Sequence, residues 1–192
     1  VAVQFAVGNR ELLLQKLQDN AIDLAVMGRT PVEIDAHAEP MASHPYILIG
    51  PADHPLRDAR RFDLHELRHE TFLLREEGSG SRRVAEEMFR NHLFTPPRTI
   101  SMGSNETIKQ AVMAGMGVSL ISLHTLPLEL KTSQVSVLDA IGTPIERTWY
   151  VVHMNSKRLL PAGQKFRNFL LDEAAPGLEA EFGPYLAARA AL

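Results

Sequence analysis

The chain has 192 residues, of which 45% are hydrophobic and 22% charged, and a formal net charge of −3. That balance gives a globular protein with enough chain for one large core or two small ones, and it excludes a polycation built to coat nucleic acid. Cysteine is absent, which rules out a disulfide framework and thiolate chemistry and fits a reducing compartment.

Val1 to Val7 reads as a strand, so no leader peptide is visible. A chain that opens in a strand without an initiator Met is expected to be part of something longer. No apolar run approaches the ~20 residues of a membrane span. Gly8-Asn9 makes a corner, and Asn9 can cap a helix to about Gln18 with Leu13, Leu14 and Leu17 inward. Ile22 to Met27 is an apolar run suited to a buried parallel strand, joined to the first by a right-handed crossover. Gly28-Arg29 closes it. Ala36 to Ala42 is extended but interrupted by Pro40, and Tyr46 to Gly50 is a strong apolar strand.

Phe62 to His69 suggests a short helix, and Thr71 to Leu74 a strand. A polar corner, Glu76-Glu77-Gly78-Ser79-Gly80-Ser81, then leads into a helix from about Arg82 to Asn91. Thr99 to Met102 is extended and runs into Gly103-Ser104-Asn105-Glu106. Ser104 or Asn105 caps the next helix, whose Ile108, Ala111, Val112 and Gly115 form one buried stripe. Val118 to Ile121, Gln134 to Leu138 and Thr148 to His153 are strands. Pro161 starts a helix to about Glu173, and the tail after Pro176 is Ala-rich. Alternating strands and helices predict a parallel-sheet α/β architecture. The expected layout is two lobes: 1–41 with 155–175, and 42–154, followed by a tail at 176–192. Thr148 to His153 is expected to pair antiparallel with Tyr46 to Gly50.

Three strand-to-helix corners carry small polar residues: Gly8-Asn9, Gly78 to Ser81, and Gly103 to Asn105. Helix starts expose backbone N–H groups that suit an anion, and ligands of open α/β sheets sit beyond the carboxyl ends of the strands. Arg10, Arg29, Arg82, Arg83 and Lys109 lie near these corners. Together they suggest a place for a carboxylate or phosphate, although each corner alone is also an ordinary N-cap. His65-Glu66-Leu67-Arg68-His69 matches the zinc pattern H-E-x-x-H, which needs both imidazoles on one helix face. A two-turn helix with Arg68 inside the pattern favours a solvated charged face instead. His37, His44, His54, His92, His124 and His153 show no metal-ligand spacing. No G-x-S-x-G elbow, phosphate-loop or dinucleotide fingerprint and no carboxylate pair is present. No catalytic residue, metal ligand or cofactor is therefore assigned.

Several segments carry a family resemblance: Val7 to Glu11, Asp23 to Arg29, Glu76 to Arg82, Met102 to Gly117 and Arg147 to His153. The chain resembles the effector-binding domain of LysR-type transcriptional regulators. Gly-Asn-Arg-Glu together with Met-Gly-Ser-Asn-Glu-x-Ile-Lys-Gln-Ala-Val is similar to the CbbR branch, which controls the RuBisCO (Calvin-cycle) operon. The resemblance implies two Rossmann-like subdomains joined by two crossing strands, of the type II periplasmic-binding-protein kind, with an effector cleft between them. It implies effector contacts from Asn9, Ser79, Gly80, Ser81, Ser104 and Asn105, and the basic residues Arg10, Arg29 and Arg82 beside these corners join them as candidate effector contacts. The effector would be a small anion, a phosphorylated metabolite or NADPH. It further implies a cytoplasmic, non-enzymatic sensor that dimerises through the helices Asn9–Gln18 and Arg82–Asn91 and forms a tetramer in the full-length protein. Binding of DNA would fall to an N-terminal domain outside this chain, and the first strand and helix of the first subdomain would be missing. A solute-binding protein of a transporter, or a zinc hydrolase using His65 to His69, are the alternative readings.

Overall fold

The computed structural model describes residues 2–190; Val1, the first residue of the expected opening strand, and tail residues 191–192 lie outside it. The chain divides into two compact units: Val1–His44 with Arg147–Leu192 (unit 1), and Pro45–Glu146 (unit 2). The chain passes from one to the other at His44-Pro45 and returns at Glu146-Arg147.

In unit 1, helix α1 (Arg10–Gln18) is capped by Asn9, whose side chain accepts from the Leu12 N–H at 3.0 Å. Such a cap stabilises a helix by about 1 kcal/mol. Three strands follow: β1 (Ala25–Met27), β2 (Ala36–Ser43) and, from the far end of the chain, β8 (Thr148–Met154). Their order is β1-β8-β2, and both pairings are antiparallel. β2 runs straight through Pro40, with a register shift between Pro40 and Ala42. An edge strand tolerates proline because one side of its backbone faces no partner. Leu17, Ala25, Met27 and Val152 form the small core. Helix α5 (Pro161–Phe169) continues through a π turn (Leu170–Ala174) into α6 (Ala175–Ala190), which anchors itself through buried Ala175 and Phe182.

Two expectations for this unit are corrected. Residues 2–7 form no strand, and Val3, Phe5 and Val7 are 69%, 83% and 96% exposed. Alternating apolar residues hold a strand only where a neighbour completes the ladder, and no described strand runs beside them. The expected parallel pairing of this segment with Ile22 to Met27 is therefore not formed. β8 pairs with β1 and β2, not with Tyr46 to Gly50. Val151 and Val152 are fully buried there, which places the whole strand in unit 1 and moves the return crossing ahead of it, to residue 147.

Unit 2 holds β3 (Tyr46–Pro51), β4 (Thr71–Arg75), α2 (Gly80–Asn91), β5 (Arg98–Met102), α3 (Asn105–Met113), β6 (Ser119–Ser122), α4 (Pro127–Lys131) and β7 (Val135–Leu138). β3 lies between β6 and β7, antiparallel to both, while β4 and β5 are parallel. A parallel bridge, Phe72 to Val118, links the two sets of strands. That bridge requires Gly117: its φ is +154°, and a Cβ there would lie 2.1 Å from the Thr71 carbonyl oxygen. The core packs Phe72, Phe89 and Phe94 with ring centroids 5.0–5.8 Å apart, beneath Leu64, Leu67, Leu74 and Leu120. Burying one such side chain is worth about 1.5–3 kcal/mol. Tyr46 and Ile145 exchange both backbone hydrogen bonds at 2.9 Å where the chain enters and leaves the unit.

Candidate functional site

β4 and β5 end side by side, with Arg75 in register with Met102. Each runs into a polar corner and a helix start, so α2 and α3 begin next to each other at the carboxyl ends of two parallel strands. The Glu76 N–H donates to the Met102 carbonyl at 3.0 Å, and Arg75 reaches across to Asn105 Oδ1 at 3.0 Å. The first N–H groups of a helix have no carbonyl ahead of them, and two positive helix ends together make a place for an anion.

Ser79 precedes α2 as a buried residue and makes no capping hydrogen bond with its side chain. A Cβ on Gly80 or Gly103 would meet nothing within 4 Å, which leaves the backbone at both corners open to close approach. Ser104 caps α3, accepting from the Thr107 N–H at 3.1 Å. The structure thus brings Ser79, Gly80, Ser81, Arg82, Ser104 and Asn105 together at one edge of unit 2.

The basic residues near the corners are held by carboxylates. Arg75 binds Glu76 through two hydrogen bonds of 2.7 and 2.8 Å, which hold that carboxyl below its ordinary range. Arg82 donates to Glu86 at 2.8 Å and to the Arg75 carbonyl at 3.3 Å, so it braces α2 against the end of β4. Lys109 bridges Glu106 and the buried Glu129, at 2.8 Å each. Burial opposes the Lys109 charge, but the two carboxylate hydrogen bonds outweigh it and raise its pKa.

Asn9, Arg10 and Arg29 belong to unit 1. Asn9 spends its side-chain oxygen on the α1 cap. Arg10 donates to Glu33 at 2.6 Å and to the carbonyls of Arg29 and Thr30 at 3.1 Å, while Arg29 meets Glu33 at 3.1 Å. The Arg10 hydrogen bond is the main reason that the Glu33 carboxyl is held down to about 2. Glu33 had no mark in the sequence, because a loop residue four places from Arg29 carries no periodic signal.

The H-E-x-x-H stretch does not form the α-helical face that the zinc pattern needs. Leu64–Leu67 is a four-residue 3₁₀ turn with His69 beyond it, so the two imidazoles do not share an α-helical face. The His65 imidazole pairs with the Asp63 carboxylate at 2.8 Å instead. Histidines that showed no sequence spacing do converge elsewhere. Strand pairing sets His37 opposite His153, with Glu39 two places along β2.

A family profile, LysR substrate binding domain, matches residues 1–175. The chain is 62% identical over 189 residues to the HTH-type transcriptional regulator CfxR of Cupriavidus necator, covering 98% of this chain and 60% of that protein. It is 46% identical over 170 residues to the HTH-type transcriptional regulator CbbR of Rhodospirillum rubrum, covering 88% of this chain and 56% of the relative. Among solved structures it is similar to the Synechocystis PCC6803 CcmR regulatory domain in complex with 2-PG. The TM-score is 0.77 at 36% identity, over 85% of this chain and 78% of that one. The chain therefore belongs to the LysR substrate-binding-domain family, and its two α/β units are those of the periplasmic-binding-protein-like fold. It spans 56–60% of the length of the two regulators named above.

Proposed function

We propose that this chain is the effector-sensing domain of a LysR-type regulator of carbon-fixation genes, and that its effector is a small phosphorylated carboxylate such as 2-phosphoglycolate. The observation that carries this reading is the side-by-side start of α2 and α3 beyond β4 and β5. Two helix ends and the open backbone at Gly80 and Gly103 suit a doubly charged phosphate. Ser79, Ser81 and Ser104 add hydroxyls, Arg82 a guanidinium and Asn105 an amide within reach of the same edge. Asn9, Arg10 and Arg29 are the candidate contacts of unit 1. The 2-PG bound by the CcmR regulatory domain supports this choice of ligand class.

Binding would act on a separate DNA-binding region by favouring one conformation of the sensor over another. Helices α1 and α2 are the proposed dimer contacts, and the cytoplasm the proposed setting. The relatives are named as transcriptional regulators, and on that ground no enzymatic reaction is assigned.

Calorimetric titration with 2-phosphoglycolate, glycolate, inorganic phosphate and NADPH tests the reading. Saturable binding of 2-phosphoglycolate with glycolate at least about tenfold weaker is expected, since a lost charged hydrogen-bond set costs about 1.5–3 kcal/mol. Equal affinity for glycolate would refute the phosphate seat.

A further inference from the structure

We propose that His37, Glu39 and His153 form a binding site in unit 1 for a divalent transition-metal ion of the zinc class. His37 and Glu39 stand two residues apart on one face of β2, and His153 is the cross-strand partner of His37 on β8. One ligand atom from each of the three lies within 4.8 Å of the other two. The imidazole rings sit 5.3 Å apart between centroids.

The His37–Glu39 separation suits an ion better than a direct hydrogen bond. His37 Nε2 and Glu39 Oε1 are 3.4 Å apart. That exceeds the 2.7–3.2 Å of a good N–H to O bond. A tetrahedral ion with bonds of about 2.0–2.1 Å separates its ligands by about 3.3–3.4 Å, which follows from the bond lengths. Two imidazoles and one carboxylate are a ligand set that zinc accepts, with a fourth position left for water.

The surroundings orient the three ligands. His153 Nδ1 lies 3.1 Å from the Met154 carbonyl oxygen, to which it can only donate. That fixes the tautomer and leaves Nε2 with its lone pair for a metal. Glu39 is held by Arg167 of α5, through Nε at 2.6 Å and through a second, shorter contact to the other oxygen. Metal-bound imidazoles commonly donate their other ring N–H to a carbonyl, and metal-bound carboxylates are themselves hydrogen-bonded; here Arg167 donates to both Glu39 oxygens, including the Oε1 that faces His37. The three residues line a cavity of about 610 Å³ whose wall includes Asn155, Gln164 and Arg167, so an ion has an entry path. An ion there would cross-link β2 to β8 and draw α5 to both strands through Glu39.

The site is independent of the proposed effector and is tested without it. The chain, stripped with a chelator, is titrated with Zn²⁺ by calorimetry and with Co²⁺ by visible absorption, and melted with and without Zn²⁺. One Zn²⁺ per chain, a Co²⁺ spectrum of low coordination number and a raised Tm are expected. His37→Ala and His153→Ala should each weaken binding by about tenfold or more, as losses around metal sites do. His65→Ala, in the H-E-x-x-H stretch of unit 2, should leave it unchanged. Melting of the variants without metal reports their folding. Should His153→Ala fail to fold, His37→Ala decides, since its side chain is 52% exposed. No stoichiometric Zn²⁺ in the parent chain, or binding that survives both substitutions or is lost with His65→Ala, would overturn the site.

Discussion

Arg75 at the end of β4 donates a 3.0 Å hydrogen bond to Asn105 at the start of α3, thirty residues on in the chain. The same guanidinium holds Glu76 with its other nitrogens, so one side chain ties together the two corners from which α2 and α3 begin. Arg75→Met should therefore loosen the seat. The expected result is a fall of about tenfold in 2-phosphoglycolate affinity with a stability loss of about 1.5–3 kcal/mol, the worth of charged hydrogen bonds. Calorimetry and urea unfolding measure the two separately; unchanged affinity would take Arg75 out of the account.

Lys109 is a strut of the unit 2 interior. Its ammonium neutralises Glu129, which is 4% exposed. Removing one partner of a buried pair strands the other charge at a cost of about 3–5 kcal/mol. Lys109→Met should lower stability by that order, and the double variant with Glu129→Leu should recover most of it. Chemical denaturation of the three variants checks this, and additive losses would contradict it.

Gly117 meets two demands at once, a positive φ and a carbonyl only 2.1 Å from where a Cβ would stand. Gly117→Ala must push β6 away from β4 at the Phe72–Val118 bridge. A loss of at least about 1–3 kcal/mol is expected from the strained backbone alone. A thermal melt within a degree of the parent would show that the bridge yields freely.

Glu33 makes a pH prediction. Its carboxyl is depressed from 4.5 to about 2 in the folded chain, mainly by Arg10. A depressed carboxylate contributes stability that is full above its unfolded pKa and is lost as pH falls through its folded one. The window is therefore pH 4.5 down to about 2. The side chain is 43% exposed, so solvent screening keeps the contribution small. Glu33→Gln should flatten the stability slope in that window and lower stability by a small, constant amount near neutral pH, where the carboxylate's contribution is full, as read from urea midpoints at stepped pH.

The local elements were legible because their signals are short in range. Asn9 and Ser104 as caps, the Ile108-Ala111-Val112 stripe and the apolar run of β3 all follow from neighbouring residues. What failed depended on partners far away in the chain. Val3, Phe5 and Val7 alternate as a strand should, but pairing is a property of two segments and no described neighbour supplies it. The apolar run of β8 does not name its partners, which are the strands β1 and β2, where Val151 and Val152 are buried. His37 and His153 stand 116 residues apart, a separation no motif spacing covers, and meet only through the β2–β8 register. Arg10, Arg29 and Lys109 show a further limit. Their charge was visible, but the carboxylates that hold it were not.

The seat itself is tested most directly by amide chemical shifts of the ¹⁵N-labelled chain as 2-phosphoglycolate is added. The backbone N–H resonances of Gly80, Ser81 and Arg82 and of Ser104, Asn105 and Glu106 are expected to move together and saturate at one ligand per chain, because an anion there accepts hydrogen bonds from helix starts. Saturable binding that leaves both groups of amides in place while others move would contradict it.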